Sequence, residues 1–211
     1  DYGSPEVKSK FQTIGPYVLH GDLNCEQRVV LYGGSTTSAI QGSTLSANLY
    51  HALTEATQKE VCILNGGCGG HNSWNEYLKL SRDLVILRPT LTISFSGIND
   101  VWHFTHPKNT RVNIFPIQHI HPHCKDEFNG INVPPGNISH ADYWIYLSKT
   151  MKNVADVSNS KFIRFLQPCL GFSPYDYDLE DDLDADLHRR SIDSNDPYIP
   201  AVKVFYSKIT S

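Results

Sequence analysis

Residues 29–37 read VVLYGGSTT, and this stretch decides the predicted fold. A short apolar run passes into two glycines and then into a serine. Similar runs, rich in Val, Ile, Leu and Phe, occur at Val61–Leu64, Leu91–Phe95 and Phe162–Leu166. Short runs of this composition that end near Gly, Asn or Pro are typical of buried strands in a covered parallel sheet.

Helical patterns separate these strands. Leu45, Leu49, Leu53 and Ala56 recur at helical spacing and form one apolar stripe. Further helices are predicted from Trp74 to Leu84, from Asp142 to Val154 and from Tyr198 to Ile209. Strands that alternate with helices predict an α/β protein with a doubly wound sheet and right-handed crossovers.

Bulk composition narrows the class of function. The chain has 211 residues and a net charge of −4, which suits one domain and shows no basic excess. Nucleic-acid binding and docking on anionic membranes are therefore not expected, and no run is long enough to span a bilayer.

The five cysteines are odd in number and lack a Cys-x-x-Cys pair, so no disulfide framework is predicted. The compartment, cytoplasm or cell envelope, and the oligomeric state stay open.

The first candidate loop contains Gly33, Gly34 and Ser35. Glycines allow a sharp turn, and a serine near a following helix N-terminus would meet backbone N–H groups that favour developing negative charge. A nucleophilic serine is one interpretation of this pattern. The alternatives are a helix cap or a phosphate-binding turn, because strand–Gly–helix turns are common.

Two more loops follow predicted strands. Residues 65–73 read NGGCGGHNS, and residues 95–100 read FSGIND. Backbone N–H groups in the glycine-rich loop are candidate oxyanion donors, and so is the side-chain amide of Asn99. The alternatives are a flexible turn and an Asx-turn.

In this order and spacing, the three loops resemble the blocks of the SGNH (GDSL-like) serine hydrolase family. The resemblance covers residues 28–101 closely, with Gly34 where the family often has Asp. It implies a three-layer α/β/α sandwich with a parallel, flavodoxin-like sheet. It also implies that Ser35 is the nucleophile, and that the Ser35 N–H, the Gly70 N–H and the Asn99 amide form an oxyanion hole.

One family block is missing. The family carries an Asp-x-x-His block near its C-terminus that supplies the general base, and no such block occurs here; His188 follows Asp184 and Asp186 at the wrong spacing. We expect residues 1–211 to form a single SGNH-like domain that lacks this C-terminal segment, or that takes its base from elsewhere. A serine without a base is a poor nucleophile.

Several other features point away from cofactors. His119, His121, His123 and Cys124 cluster, but Pro116 and Pro122 favour an irregular loop over a metal site. That loop belongs to a long insertion from His103 to Ile138, and a second irregular stretch, Pro174–Pro197, is acidic. The proposed chemistry requires no metal and no organic cofactor.

The sequence thus predicts a serine esterase that forms an acyl-Ser35 intermediate. By family analogy the substrate is a small-molecule or carbohydrate ester with a small acyl group such as acetyl. An O-acyltransferase that acts on a polysaccharide would use the same covalent step. A non-catalytic module that binds a carbohydrate or a partner on the same scaffold is the third alternative.

Overall fold

The structure, a computed structural model, describes residues 12–105, 139–167 and 198–210. Its strands are β1 (Thr13–Ile14), β2 (Tyr17–His20), β3 (Gln27–Gly33), β4 (Val61–Asn65), β5 (Leu91–Ser96) and β6 (Lys161–Leu166). Its α-helices are α1 (Leu45–Thr57), α2 (Ser73–Leu87), α3 (Ile98–Thr105), α4 (His140–Val157) and α5 (Tyr198–Thr210). All four predicted strands and all four predicted helices are present, with small shifts at their ends. The prediction that Phe162–Leu166 is a buried strand was wrong: β6 is the last strand of the sheet, and its Ile163 and Phe165 side chains are exposed.

The strands form one sheet in the order β1-β2-β4-β3-β5-β6. Strands β4, β3, β5 and β6 are parallel, with Leu31 opposite both Asn65 and Ile93. This confirms the predicted α/β class and its mainly parallel, flavodoxin-like sheet. The antiparallel hairpin of β1 and β2 on the β4 edge was not predicted, because its two short strands are too brief to show a period.

Helices cover both faces of the sheet. Successive residues of β3 point to opposite sides, so Val29 and Leu31 pack with the predicted α1 stripe of Leu45, Leu49 and Leu53. Val30 and Tyr32 pack on the other side, with side chains of α2 and of the second half of α4: Leu80, Leu84, Met151 and Ala155. The three-layer arrangement follows from this alternation.

Residue contacts divide the chain into two compact units. The first is Asp1–Asn99 with Leu147–Leu166, and it holds the sheet. The second is Asp100–Tyr146 with Gln167–Ser211. Within the second unit, the rings of Trp144 and Phe205 meet edge to face at 6.2 Å. Lys208 pairs there with Asp142 at 2.6 Å, an exposed pair that contributes little to stability.

The cysteines differ from the prediction. Cys25 and Cys62 form a disulfide, with their Cα atoms 5.7 Å apart, whereas Cys68 is a free and exposed thiol. The sequence showed no disulfide because the two partners are 37 residues apart, and only the pairing of β3 with β4 brings them together.

Some predicted features lie outside the described residues. These are the insertion beyond Thr105, the His119–Cys124 cluster, the acidic Pro174–Pro197 stretch and His188. In the ranges that the structure does describe, no helix combines the length and apolar character needed to cross a membrane.

Candidate active site

The three predicted loops begin at one edge of the sheet, the edge that is formed by the carboxyl ends of its parallel strands. Strands β4, β3 and β5 are adjacent and parallel, so their carboxyl ends, Asn65, Gly33 and Ser96, lie side by side. The chain crosses from β3 to β4 on one side and later returns to β5 on the other side. The gap between β3 and β5 is therefore a topological switch point, the place where open α/β sheets bind ligands.

Ser35 lies in a tight turn directly after β3. The backbone N–H of Thr37 donates to Gly34 O at 3.2 Å, and that of Ser38 donates to Ser35 O at 3.2 Å. Ser35 itself is exposed. The expectation of an adjacent helix N-terminus was wrong, since a short 3₁₀ segment, Ala39–Gln41, ends at a left-handed Gly42 and α1 begins only at Leu45.

The buried side chain of Asn65 stabilises the turn that contains Ser35 through hydrogen bonds. The side-chain amide of Asn65 donates to Thr37 O at 2.7 Å and to Ser46 Oγ at 2.8 Å. Its carbonyl oxygen accepts from the backbone N–H of Gly67 at 2.9 Å. Asn65 is 3% exposed and ties the first loop, the second loop and α1 together. In the sequence, Asn65 is the first residue of the NGGCGGHNS loop, and the signal for its role was a polar residue at the end of an apolar strand.

The second loop folds back along the end of β3. The N–H of Cys68 donates to Gly33 O at 3.0 Å, which continues the parallel ladder beyond β4. Gly70 is exposed and has φ +78°, a left-handed conformation that favours glycine. Helix α2 then starts with a reciprocal capping box between Asn72 and Asn75, which fixes the point where the loop ends.

Asn99 joins the third loop to the other two. It is the second residue of α3, and its side-chain Nδ2 donates to the backbone carbonyl of His71 at 2.8 Å. A Cβ atom on Gly34 would lie 2.5 Å from the same Nδ2. The structure therefore brings Gly34, His71 and Asn99 into contact, and Ser35 and Gly70 are their chain neighbours.

The geometry leaves a donor for a ligand. A primary amide carries two N–H donors, and the bond to His71 O uses one of them. Two backbone N–H groups and one side-chain amide are the donors of the oxyanion hole that the sequence predicts. The predicted site residues Ser35, Gly70 and Asn99 thus lie at the same edge of the sheet.

His71 lies in the glycine-rich loop at this edge of the sheet, and the residue is half-buried. Its Nδ1 is buried and has no hydrogen-bond partner among the described residues. Burial lowers the pKa of His71 to about 4, with a smaller contribution from the nearby charge of Lys79. The imidazole ring is therefore neutral at pH 7. Within the described part of the chain, no histidine hydrogen-bonds to the Ser35 hydroxyl.

Gly34→Ala tests how closely Asn99 approaches the turn. The added methyl group meets Nδ2 at 2.5 Å, and the end of the Asn99 side chain is the part that has to move. We expect kcat for a short-chain aryl ester to fall about 10- to 100-fold, since small displacements of positioned groups have effects of this size.

The control for this test is the same substitution in an Asn99→Ala background. With the amide already removed, Gly34→Ala should change kcat by less than about 3-fold, because coupled residues are not additive. Equal losses in both backgrounds would show that Gly34 acts independently of Asn99.

A separate pocket of about 610 Å³ lies at the opposite, amino-terminal ends of β3 and β4. Its lining includes Asp22, Tyr50, Thr54, Glu60 and Val61. None of the predicted site residues lines it.

Comparisons with known proteins come from structures only, because no family model and no curated protein matches the chain. A protein assigned to the G-D-S-L lipolytic family, from Desulfitobacterium hafniense, is 16% identical, with a TM-score of 0.46 over 88% of this chain and 70% of its own. A GDSL-like lipase from Bacteroides thetaiotaomicron is 18% identical, with a TM-score of 0.37 over 76% and 54% of the two chains. The acetylxylan esterase Axe2 from Geobacillus stearothermophilus is 16% identical, with a TM-score of 0.38 over 65% and 75%. The solved structures to which this chain is similar thus include GDSL-like lipolytic proteins and an acetylxylan esterase.

Proposed function

We propose that this chain is a serine ester hydrolase of the SGNH type, with Ser35 as its nucleophile. One observation carries the proposal. The Asn99 amide contacts both Gly34 and the His71 carbonyl, and so joins the serine turn, the glycine loop and the third loop at one sheet edge. This is the grouping that the three sequence blocks predict.

The proposed reaction has two steps. Ser35 Oγ forms a bond to the ester carbonyl carbon, its proton passes to a base, and the carbonyl electron pair moves to oxygen. The N–H groups of Ser35 and Gly70 and the Asn99 amide stabilise that oxyanion. Collapse expels the alcohol, which takes up a proton, and water then releases the acid from Ser35.

Small acyl groups, such as an acetyl group on a carbohydrate, are the proposed substrate class. Support for it comes from the resemblance of the three loops to the SGNH blocks. Transfer of the acyl group to a sugar hydroxyl would use the same acyl-Ser35 intermediate. Incubation with an ester donor and a polysaccharide acceptor separates the two reactions, because only transfer gives an acylated polysaccharide.

Covalent labelling tests the proposal directly. A fluorophosphonate probe should modify Ser35, which peptide mass spectrometry of the labelled protein would identify, and aryl acetate should be hydrolysed faster than the longer acyl esters. A pH–rate profile adds the ionisation of the base, since kcat/KM reports the pKa of the essential groups in the free enzyme. Labelling at another residue, or no hydrolysis of any ester in the series, would contradict the proposal.

A further inference from the structure

A buried ion pair lies at the base of the loops that carry Gly70 and Asn99. Arg164 of β6 and Glu76 of α2 approach to 3.9 Å, and their side chains are 4% and 0% exposed. Burying two charges is costly, and apolar residues of similar volume often stabilise a fold as well or better. A charged pair in this place therefore suggests a role beyond stability.

The guanidinium group of Arg164 joins separate elements. Its Nη2 donates to the hydroxyl of Ser73, the first residue of α2, and to that of Ser96, the last residue of β5, at 2.8 Å. Its Nη1 donates to Ser148 Oγ on α4 at 2.7 Å. One planar group thus holds the beginning of α2 against the end of β5, and a planar fork of fixed donors suits this task.

Glu76, the other member of the ion pair, binds to strand β5. Its Oε2, the oxygen nearest the guanidinium group, accepts a hydrogen bond from Ser94 Oγ at 2.5 Å. The carboxylate therefore fixes both the strand β5 and the orientation of Arg164.

The bridged residues are close in sequence to the proposed oxyanion donors. Ser73 follows Gly70 by one short stretch of loop, and Ser96 precedes Asn99 by a single short turn. The Asn99–His71 hydrogen bond of 2.8 Å joins the two loops directly. Through Ser73 and Ser96, Arg164 adds a second connection between the two loops.

We propose that Arg164 is a positioning residue, which sets the spacing of the Gly70 N–H and the Asn99 amide through Ser73 and Ser96. The inference rests on the proposed esterase function. The Arg164 side chain is only 4% exposed, so its proposed action is through the loops and not on the substrate itself.

Arg164→Gln is the first test. We expect kcat for an aryl acetate to fall about 10- to 100-fold while KM stays within about 3-fold, because displaced donors affect the transition state more than the bound ester. Arg164→Lys keeps the charge beside Glu76 but loses the planar fork. It should recover most of the thermal stability that Arg164→Gln loses, and only part of kcat.

Arg28→Gln is the matched control. Arg28 is also partly buried and donates to two backbone carbonyls, Leu87 O at 2.5 Å and Leu23 O at 2.7 Å, but it lies near the amino-terminal end of β3. Its loss should lower the melting temperature and leave kcat unchanged. Equal losses of kcat in both variants would show a general effect of stability and overturn the proposal.

A double-mutant cycle separates positioning from a direct effect. If Arg164 acts through Asn99, Arg164→Gln should cost less than about 3-fold in an Asn99→Ala background. A full loss in that background would overturn the proposal.

If Arg164→Gln does not fold, Ser96→Ala removes one of the bridging hydrogen bonds and leaves the ion pair. That variant should lower kcat with KM unchanged, and a normal kcat would count against the bridge.

Hydrogen exchange gives a readout that does not depend on activity. Arg164→Gln should speed amide exchange in residues 66–72 and 96–99, and Arg28→Gln should not. Unchanged exchange in both loops would overturn the positioning role even where Ser35 proves to be the nucleophile. Faster exchange in a protein that hydrolyses no ester would contradict the proposed function and still support the bridge.

Discussion

Ser35→Ala is expected to abolish hydrolysis of a short-chain aryl ester while the fold survives. Loss of a nucleophilic serine costs roughly 10⁴-fold or more in kcat, because only binding and oxyanion stabilisation remain. Ser35 is exposed, and its backbone carbonyl rather than its hydroxyl completes the turn to Ser38. The free energy of unfolding should therefore change by no more than about 0.5 kcal/mol.

Ser43→Ala is the matched control for this prediction. Ser43 lies in the same connection between β3 and α1, and its hydroxyl donates to Thr36 O at 2.6 Å. Its removal should lower stability slightly and leave ester hydrolysis intact. The measurement is initial-rate kinetics beside a thermal melt for each variant. A Ser35→Ala protein with wild-type turnover would remove Ser35 from the mechanism.

Asn99→Ala is expected to lower kcat strongly and to leave KM nearly unchanged. The oxyanion exists only in the transition state and the intermediate, so its hydrogen bonds strengthen there. Removing one such donor typically costs about 2.7–4 kcal/mol, or roughly 100- to 1000-fold in turnover. The same substitution removes the hydrogen bond to His71 O, which should reduce stability by about 1 kcal/mol.

Asn99→Asp tests whether catalysis requires the amide donors of Asn99. Aspartate has the same shape, but an ionised carboxylate has no donors and would repel both the His71 carbonyl and a developing oxyanion. Its kcat should fall at least as far as that of Asn99→Ala. Steady-state kinetics and thermal melts of both variants separate catalysis from stability. Lower stability with normal kcat would mean that Asn99 only fastens two loops, and the oxyanion assignment would fail.

The sheet could be predicted because its strands carry their own signal. Val29–Tyr32 and Val61–Leu64 are continuous runs of apolar and aromatic residues, as strands covered on both faces require, and Leu91–Phe95 has Leu, Ile and Phe at alternate positions. The helix ends could be predicted only to within a few residues: the helix predicted from Trp74 to Leu84 runs from Ser73 to Leu87. Helix α2 stops at Leu87 because Arg88 adopts a left-handed conformation and Pro89 follows.

Other features could not be predicted because they depend on pairs of residues that are distant in sequence. The Cys25–Cys62 disulfide requires the alignment of β3 with β4. The approach of Asn99 to Gly34 requires β5 to lie beside β3, and no property of either residue alone indicates it. The Arg164 bridge draws together three elements that the sequence treats as unrelated.

The sequence by itself determined the α/β class, the order along the chain of four strands and four helices, and the three loops in which Ser35, Gly70 and Asn99 occur. These features follow from local apolar patterns and from glycines at strand ends, which act over a few residues. Only the tertiary structure decided which side chains meet: Asn99 with the His71 carbonyl, Asn65 with the serine turn, and Arg164 with Ser73 and Ser96. A hydrogen bond forms only within a narrow range of distance and angle, and side chains far apart in sequence come within that range once the packed sheet fixes their positions.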